Sequence, residues 1–393
     1  GNAVSIANGL GIGATTLDHA FDLTATTGSI TDSATVTLTG SATFTTSAVD
    51  ATIDLDSLVA SGDVSVNTNG ANGNATLSNP GALSLGASTV GGALSATATG
   101  AITDAGTLAV TGTATFVTRL DAGAAITLDQ AASTFGSLIA RTLNDAGDTA
   151  VDAVAADDIS VAIDATIGLG QLETAGNVRV TSATASITDA DDDAGAEIIA
   201  ATARLTARTG IGTAANAIET TITTLVATTT TSGDIVIDES NNLTLGDGTT
   251  GITTAGSDIL IATTDGSITV DNAVSAGGTG DIVLDANSTG STANIVLNDS
   301  AAHISANATT TIHLQAADAI VRTSGQTPEI RGDNVFLDAQ TVGTSSDAIL
   351  TRATTLGVRT SSGTNADGFV NEVAAGGDLV IGRINDLIGA TTF

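Results

Sequence analysis

Two blocks of this chain repeat at unequal spacings, and that constrains the fold more than any residue count. Residues 28–45, GSITDSATVTLTGSATFT, align without gaps to 100–117, GAITDAGTLAVTGTATFV. Ten of the 18 positions are identical at an offset of 72, among them Ile30/Ile102, Asp32/Asp104, Gly40/Gly112 and Phe44/Phe116. The Ile-Thr-Asp opening returns at Ile187-Thr188-Asp189. A second family pairs 212–225, GTAANAIETTITTL, with 343–356, GTSSDAILTRATTL, at eight of 14 positions and an offset of 131. Copies of a globular domain keep one length. Repeats of unequal length that share a short-strand grammar are stacked coils.

The grammar itself is β. Alternating runs of four to six residues recur from end to end: Thr35-Val36-Thr37-Leu38-Thr39, Asp63-Val64-Ser65-Val66, Asp158-Ile159-Ser160-Val161, Asp234-Ile235-Val236-Ile237, Asp281-Ile282-Val283-Leu284 and Asp378-Leu379-Val380-Ile381. Gly62, Gly233, Gly280 and Gly377 each stand immediately before the Asp of their run. Short β-branched runs bounded by Gly, Asp, Asn and Ser are strands and turns. Residues 197–208 carry enough Ala for a helix, but their place in the second repeat family predicts strand. Each strand is too short to be buried alone, whereas stacked coils bury a continuous column of Val, Ile and Leu. The prediction is an all-β chain, a right-handed parallel β-helix (β-solenoid) forming a single elongated rod, with the handedness taken from the general rule for parallel crossovers. At roughly 20 residues per turn and ~4.8 Å per coil, this gives about 20 turns and ~95 Å. One continuous solenoid over 1–393 is expected, with sub-blocks 1–144 (first repeat family), 145–185 (an acidic, irregular segment) and 186–393 (second repeat family). Ile30 and Ile102 should point inward. Asp32 and Asp104 fall at the strand's end, where Asp104→Asn is expected to be nearly neutral.

Composition excludes several functions. The 393 residues carry 42 acidic and 10 basic groups for a net charge of −32. All the basic residues are Arg, and 36 of the acids are Asp. A charge this negative, with no basic run, excludes nucleic-acid partners and attraction to anionic membranes. No stretch approaches ~18 consecutive apolar residues, so no membrane insertion is expected. With no Cys there is no disulfide, thiolate ligand or Cys nucleophile. High charge with few aromatics favours disorder, but the mean hydropathy is +0.32 and the aliphatic bursts are regular, so the chain is ordered.

AITDAGTLAVTGTATF (101–116), GAAITLDQAASTFGSL (123–138) and GIGTAANAIET (210–220) resemble the repeat regions of filamentous-haemagglutinin-like giant bacterial surface proteins. That resemblance implies a β-helical shaft, exported and displayed outside a bacterial cell as part of a fibre or adhesin. Its partners would be adjoining β-helical segments or copies of itself, end to end, and host or neighbour-cell surface glycans or proteins. Strand grammar reaches both termini, which predicts a piece cut from a longer shaft or ends that dock on copies. A self-assembling filament subunit and a carbohydrate-active β-helical enzyme are the alternatives.

Candidate chemistry is sparse. Asp189, Asp191, Asp192 and Asp193, with Glu197 following, could gather oxygen ligands for Ca²⁺, although Ala194 and Ala200 stand where an EF-hand loop needs Gly and Glu. Gly277-Gly278-Thr279-Gly280-Asp281 lacks one residue of the Ca²⁺-binding nonapeptide. For most Asp the plain reading is turn chemistry. Asp54 and Asp56 are expected on one strand face, as a glycosidase pair would need, but the Trp and Tyr platforms of sugar subsites are absent, and no catalytic residue or cofactor beyond Ca²⁺ is expected. His19, His303 and His313 lack metal-ligand spacing. Arg331-Gly332-Asp333 spells an adhesion tripeptide and is read as a plain turn. Thr35/Thr37/Thr39 and Thr111/Thr113/Thr115 would suit an ice-binding face, and are read as solvated strand residues. Phe44 and Phe116, at equivalent repeat positions, are expected to be stacked core or corner residues, not ligand platforms.

Overall fold

A computed structural model describes residues 2–144, 158–290, 292–298, 303–361, 368–373 and 380–381. These residues hold forty short strands and no helix. Strand pairs strand in parallel throughout, in about 16 coils, so the chain is a β-solenoid. The coils are longer than 20 residues on average because loops bulge from them. The step from one coil to the next is 19 residues from Asp158 to Asn177, 23 from Asp258 to Asp281, and 30 from Asp281 to Thr311.

Contacts divide the chain into two compact units, Gly1–Asp193 with Ile199–Ala201, and Ala194–Ile198 with Thr202–Phe393. The boundary between these units lies near Asp193. Of the 145–185 segment, 145–157 lies outside the described residues. The rest is regular, with strands Ile159–Ile163, Ile167–Glu173 and Asn177–Ser182. Residues 197–208 are extended as the repeats require, in strand Ile198–Ala207.

In the first unit the inward residues stack in register: Leu10 on Ile30, Ile30 on Ile53, Ile53 on Ala75, Ala75 on Leu94, Leu94 on Ala114. Ile30 and Ile102 are fully buried, as their alternation predicts. Phe44 and Phe116 are buried too, each meeting a second ring edge-on, Phe21 at 6.4 Å and Phe135 at 6.0 Å between centroids. Phe116 pairs with Ala96 on one side and Ala140 on the other. Phe44 instead stacks between Leu23 and Val66. In the second unit the corresponding column runs Ile237, Ile261, Leu284, Leu314, Leu337.

Asp104 corrects the sequence reading. It shares the inward face with Ile102 and is only 6% exposed. Its carboxylate accepts the N–H groups of Asp129 at 2.8 Å and Gln130 at 3.1 Å, one coil on. Burial pushes its carboxyl up, and those two bonds pull it partly back. An Asn here keeps one acceptor and turns an NH₂ toward the other donor. Asp104→Asn is therefore expected to cost about 1–2 kcal/mol, not zero, while Asp54→Asn on an exposed face should stay within about 0.5 kcal/mol. Equal melting temperatures for the two variants would return Asp104 to the solvent.

The sequence patterns outside the core are placed as follows. Arg331-Gly332-Asp333 lies inside strand Glu329–Ala339, not in a turn, with Arg331 paired to Glu329 at 2.8 Å and Asp333 accepting the Thr309 N–H. The Thr rows do not extend into a flat array. Thr16 and Thr37 are followed by Val59, and Ser95 and Thr115 by Ile139.

Candidate functional site

The Asp residues meet a structural need that recurs at the coil corners. In the second unit, Asp234 accepts the N–H of Asp258 at 3.0 Å, Asp258 accepts that of Asp281 at 2.8 Å, and Asp281 accepts that of Thr311 at 2.6 Å. Each of these residues immediately precedes the first inward residue of its strand. In the first unit Asp158 does the same for Asn177 at 2.9 Å, Asn74 for Ala93 at 2.8 Å, and Ser29 for Thr52 at 3.0 Å. A short side chain at the corner thus captures a backbone donor of the next coil, which a bare turn would leave to water. Burial and the flanking charges of Asp234 and Asp281 hold the Asp258 carboxyl above its ordinary value, opposed by its bond to Asp281.

Glu performs a related task that Asp is too short for. Glu239 is fully buried, and accepts the Thr220 hydroxyl at 2.7 Å, the Ile222 N–H at 3.0 Å and the Asn241 N–H at 2.9 Å. Glu372 accepts the Thr351 hydroxyl at 2.6 Å and the Ala353 N–H at 3.0 Å. Thr220 and Thr351 are equivalent positions of the second repeat family, and each Glu pairs with its Thr across the coils. The copies also share a left-handed glycine, Gly212 at φ 65° and Gly343 at φ 66°, where a Cβ would strike the carbonyl oxygens of Val236 and Phe369. Glu239→Gln is expected to cost about 1–3 kcal/mol by turning an NH₂ onto buried donors. Unchanged protection of the Ile222 amide in hydrogen exchange would refute the clamp.

The acidic run sits in the first unit. Asp189 ends strand Ile187–Asp189 and is 7% exposed, while Asp191, Asp192 and Asp193 face solvent. Asp189 Oδ1 accepts the Asp191 N–H at 3.0 Å, which folds the run into a turn, and Asp192 takes a left-handed φ of 52°. Asp189 Oδ2 is buried without a hydrogen-bond partner. The Asp191 carboxyl is pushed up by burial, by its bond to Asp189 and by the charges of Asp193 and Asp189. Asp189 is thus committed on one oxygen to its own turn.

The other candidates do not converge. Asp54 lies on the exposed face of strand Ile53–Leu55, but Asp56 has already entered the turn. His19 pairs with neighbouring Asp18 at 2.7 Å, and His303 Nδ1 accepts the Glu329 N–H at 3.0 Å. His313 is half-buried with Nε2 lacking a partner, and burial lowers its pKa. Arg residues bridge adjacent coils, Arg141 to Glu173 and Arg359 to Asp338.

One concavity of the first unit was not legible beforehand. Strands Thr15–Leu17, Val36–Leu38 and Leu58–Ala60 form a separate three-stranded sheet that stops at the third. It stops because Asn79, 2% exposed, substitutes for a fourth strand. Its Oδ1 accepts the Ala60 N–H at 2.8 Å and its Nδ2 donates to the carbonyls of Ala60 at 3.1 Å and Ala82 at 2.6 Å. Pro80 follows, with no N–H to offer a ladder. The wall steps at this point, leaving a groove of about 410 Å³ beside the exposed Val59, lined by Asp56, Ser78, Pro80, Thr97 and Arg119.

Among known proteins, a family described as repeats of unknown function (DUF5649) matches residues 1–66 and 72–142, the stretch that holds the first repeat pair. No curated protein and no solved structure matches the chain significantly. The chain is a repeat protein built as a parallel β-solenoid.

Proposed function

We propose that this chain is a non-catalytic shaft segment, wound right-handed, in a fibre or adhesin displayed outside a bacterial cell. The observation that carries the reading is the use made of the carboxylates. The residue type most available for chemistry serves coil-to-coil hydrogen bonding, in Asp234, Asp258 and Asp281 at the corners and in Glu239 and Glu372 as clamps. The resemblance of the repeats to giant surface proteins supports the location. Immunogold labelling of intact cells tests it: label on surface fibres is expected, and label confined to the cell interior would overturn it.

A filament subunit that associates end to end is the second reading, favoured by the parallel pairing of every coil on the next, since the same backbone bonds would join a coil of one copy to a coil of another. Sedimentation of the purified chain over a wide concentration range should show growing, thin assemblies, and a strict monomer at high concentration would remove this reading.

Ions should matter to a shaft of this charge. At −32, like charges on neighbouring coils oppose compaction, and salt screens those beyond ~8 Å at physiological strength. The melting temperature is expected to rise with NaCl. A further rise with Ca²⁺ at matched ionic strength is the result expected if the turn of Asp189, Asp191, Asp192 and Asp193 holds the ion. Without that further rise, general screening is the whole effect.

A further inference from the structure

We propose that the groove beside Val59 is a binding site for an unbranched, uncharged oligosaccharide, lying along the stacking direction. This deepens the shaft reading by giving the displayed surface a partner. The lining residues come from successive coils, Thr35, Asp56 and Val59, Ser78 and Pro80, Thr97 and Arg119. At ~4.8 Å per coil, five coils offer a path of about 19 Å, long for a compact metabolite and suited to an extended chain.

The lining chemistry selects among extended chains. Hydroxyls project at neighbouring levels, since Ser78 and Thr97 are outward, half-buried and directly paired across the coils. Val59, at 38% exposed, and the Pro80 ring add apolar surface beside them. Hydroxyl contacts next to small apolar surfaces are what a sugar chain presents in return. One guanidinium, Arg119, and one carboxylate, Asp56, leave the lining without net charge. A polyanion would gain no field from it and would meet the −32 of the whole chain. A peptide adding to the sheet edge would need backbone groups there, and Asn79 already occupies both the N–H and the carbonyl of Ala60. A lipid tail would strand the hydroxyls without partners. With no aromatic platform, binding at one groove is weak and gains strength when many shafts are displayed together.

The test uses the purified full chain and hexasaccharides of glucose, mannose, galactose and N-acetylglucosamine. A sulfated glycan, a sialylated glycan and a Thr/Val decapeptide serve as rival occupants. Titration calorimetry and ligand-detected NMR should show at least one neutral hexasaccharide bound. Thr97→Val, which removes one hydroxyl and keeps the shape, should weaken it about three- to tenfold. Ser78→Arg, which fills the groove from an outward position, should abolish it, with the melting curves of both variants matching the parent. No neutral hexasaccharide bound at millimolar concentration, binding indifferent to both variants, or a preference for an acidic glycan or the decapeptide would each overturn the proposal. The assay needs no cell, so its failure leaves the shaft standing, and label found inside cells would leave a positive titration standing.

Discussion

Ile102→Asp is expected to destabilise the first unit by about 4 kcal/mol or more, at the upper end of single-residue effects. Ile102 is 0% exposed, stacked in register between Leu83 and Ile126. A carboxylate there has no donor, and the neighbouring inward carboxylate, Asp104, adds like charge two residues on. The buried charge must be neutralised or the coil must open. The adjacent Thr103→Asp places the same charge on the exposed face, where about 0.5 kcal/mol or less is expected. Because neighbouring coils in a repeat protein stabilise one another locally, the loss should appear first as faster amide exchange in strands Leu83–Leu85 and Ile126–Leu128, and then as a lower melting temperature. Equal effects at 102 and 103 would mean that the side chains alternate the other way.

The inward columns were legible because a strand's period is two, and one face of each run carries the large aliphatics. Ile30 and Ile102 followed from that rule alone, while Phe44 and Phe116 were marked by their equivalent positions in the repeat. Coil length was not legible, because a bulge changes the step between coils without touching the strand pattern. The same difference in step separates Asp258–Asp281 from Asp281–Thr311. The corner capture was half visible: Asp, Asn or Ser before each strand is a local signal, while the donor it serves lies some 20 or 30 residues on. Glu239 and Glu372 gave no local signal at all, although two of only six Glu in the chain stand one coil beyond the repeated Thr. Asp104 misled because the face rule is expected to weaken at a strand's end, whereas here the alternation holds to the last residue. The groove depends on one carboxamide, Asn79, replacing a strand, which no periodicity can reveal.

Mild acid is expected to stabilise this protein, against the habit of most acidic chains. Burial is the leading cause holding the carboxyls of Asp32, Asp104, Asp238, Glu239, Asp258 and Asp285 above their ordinary values. A carboxyl raised in the folded state binds its proton more tightly there than in the unfolded chain. Between the unfolded value near 4 and the raised folded value, the folded state therefore carries more protons, and stability falls as pH rises through that window. Lowering the pH from 7 toward about 4.5 runs the same window in reverse and adds stability, while partial neutralisation of −32 relieves repulsion in the same direction. Two effects oppose it. His313, lowered by burial, costs stability as pH drops below about 6.5, where the unfolded His takes up its proton first. Asp247, held down by the backbone N–H groups of Thr250 and Thr249 and by Arg204, and Glu329, held down by Arg352 and Arg331, contribute stability that is lost only as pH falls below the ordinary carboxylate range. One His against seven raised carboxyls, Asp191 being the seventh, leaves a net gain, so the melting temperature should climb from pH 7 to about 4.5 and turn down below that. Thermal melts followed by circular dichroism at constant ionic strength would measure the curve. A melting temperature that falls steadily from pH 7 to 5 would mean that the corner carboxylates are held as anions by their hydrogen bonds more strongly than burial disfavours them. Asp258→Asn would then cost stability at pH 7 as well as in acid, whereas dominant burial predicts that its cost shrinks as the pH rises.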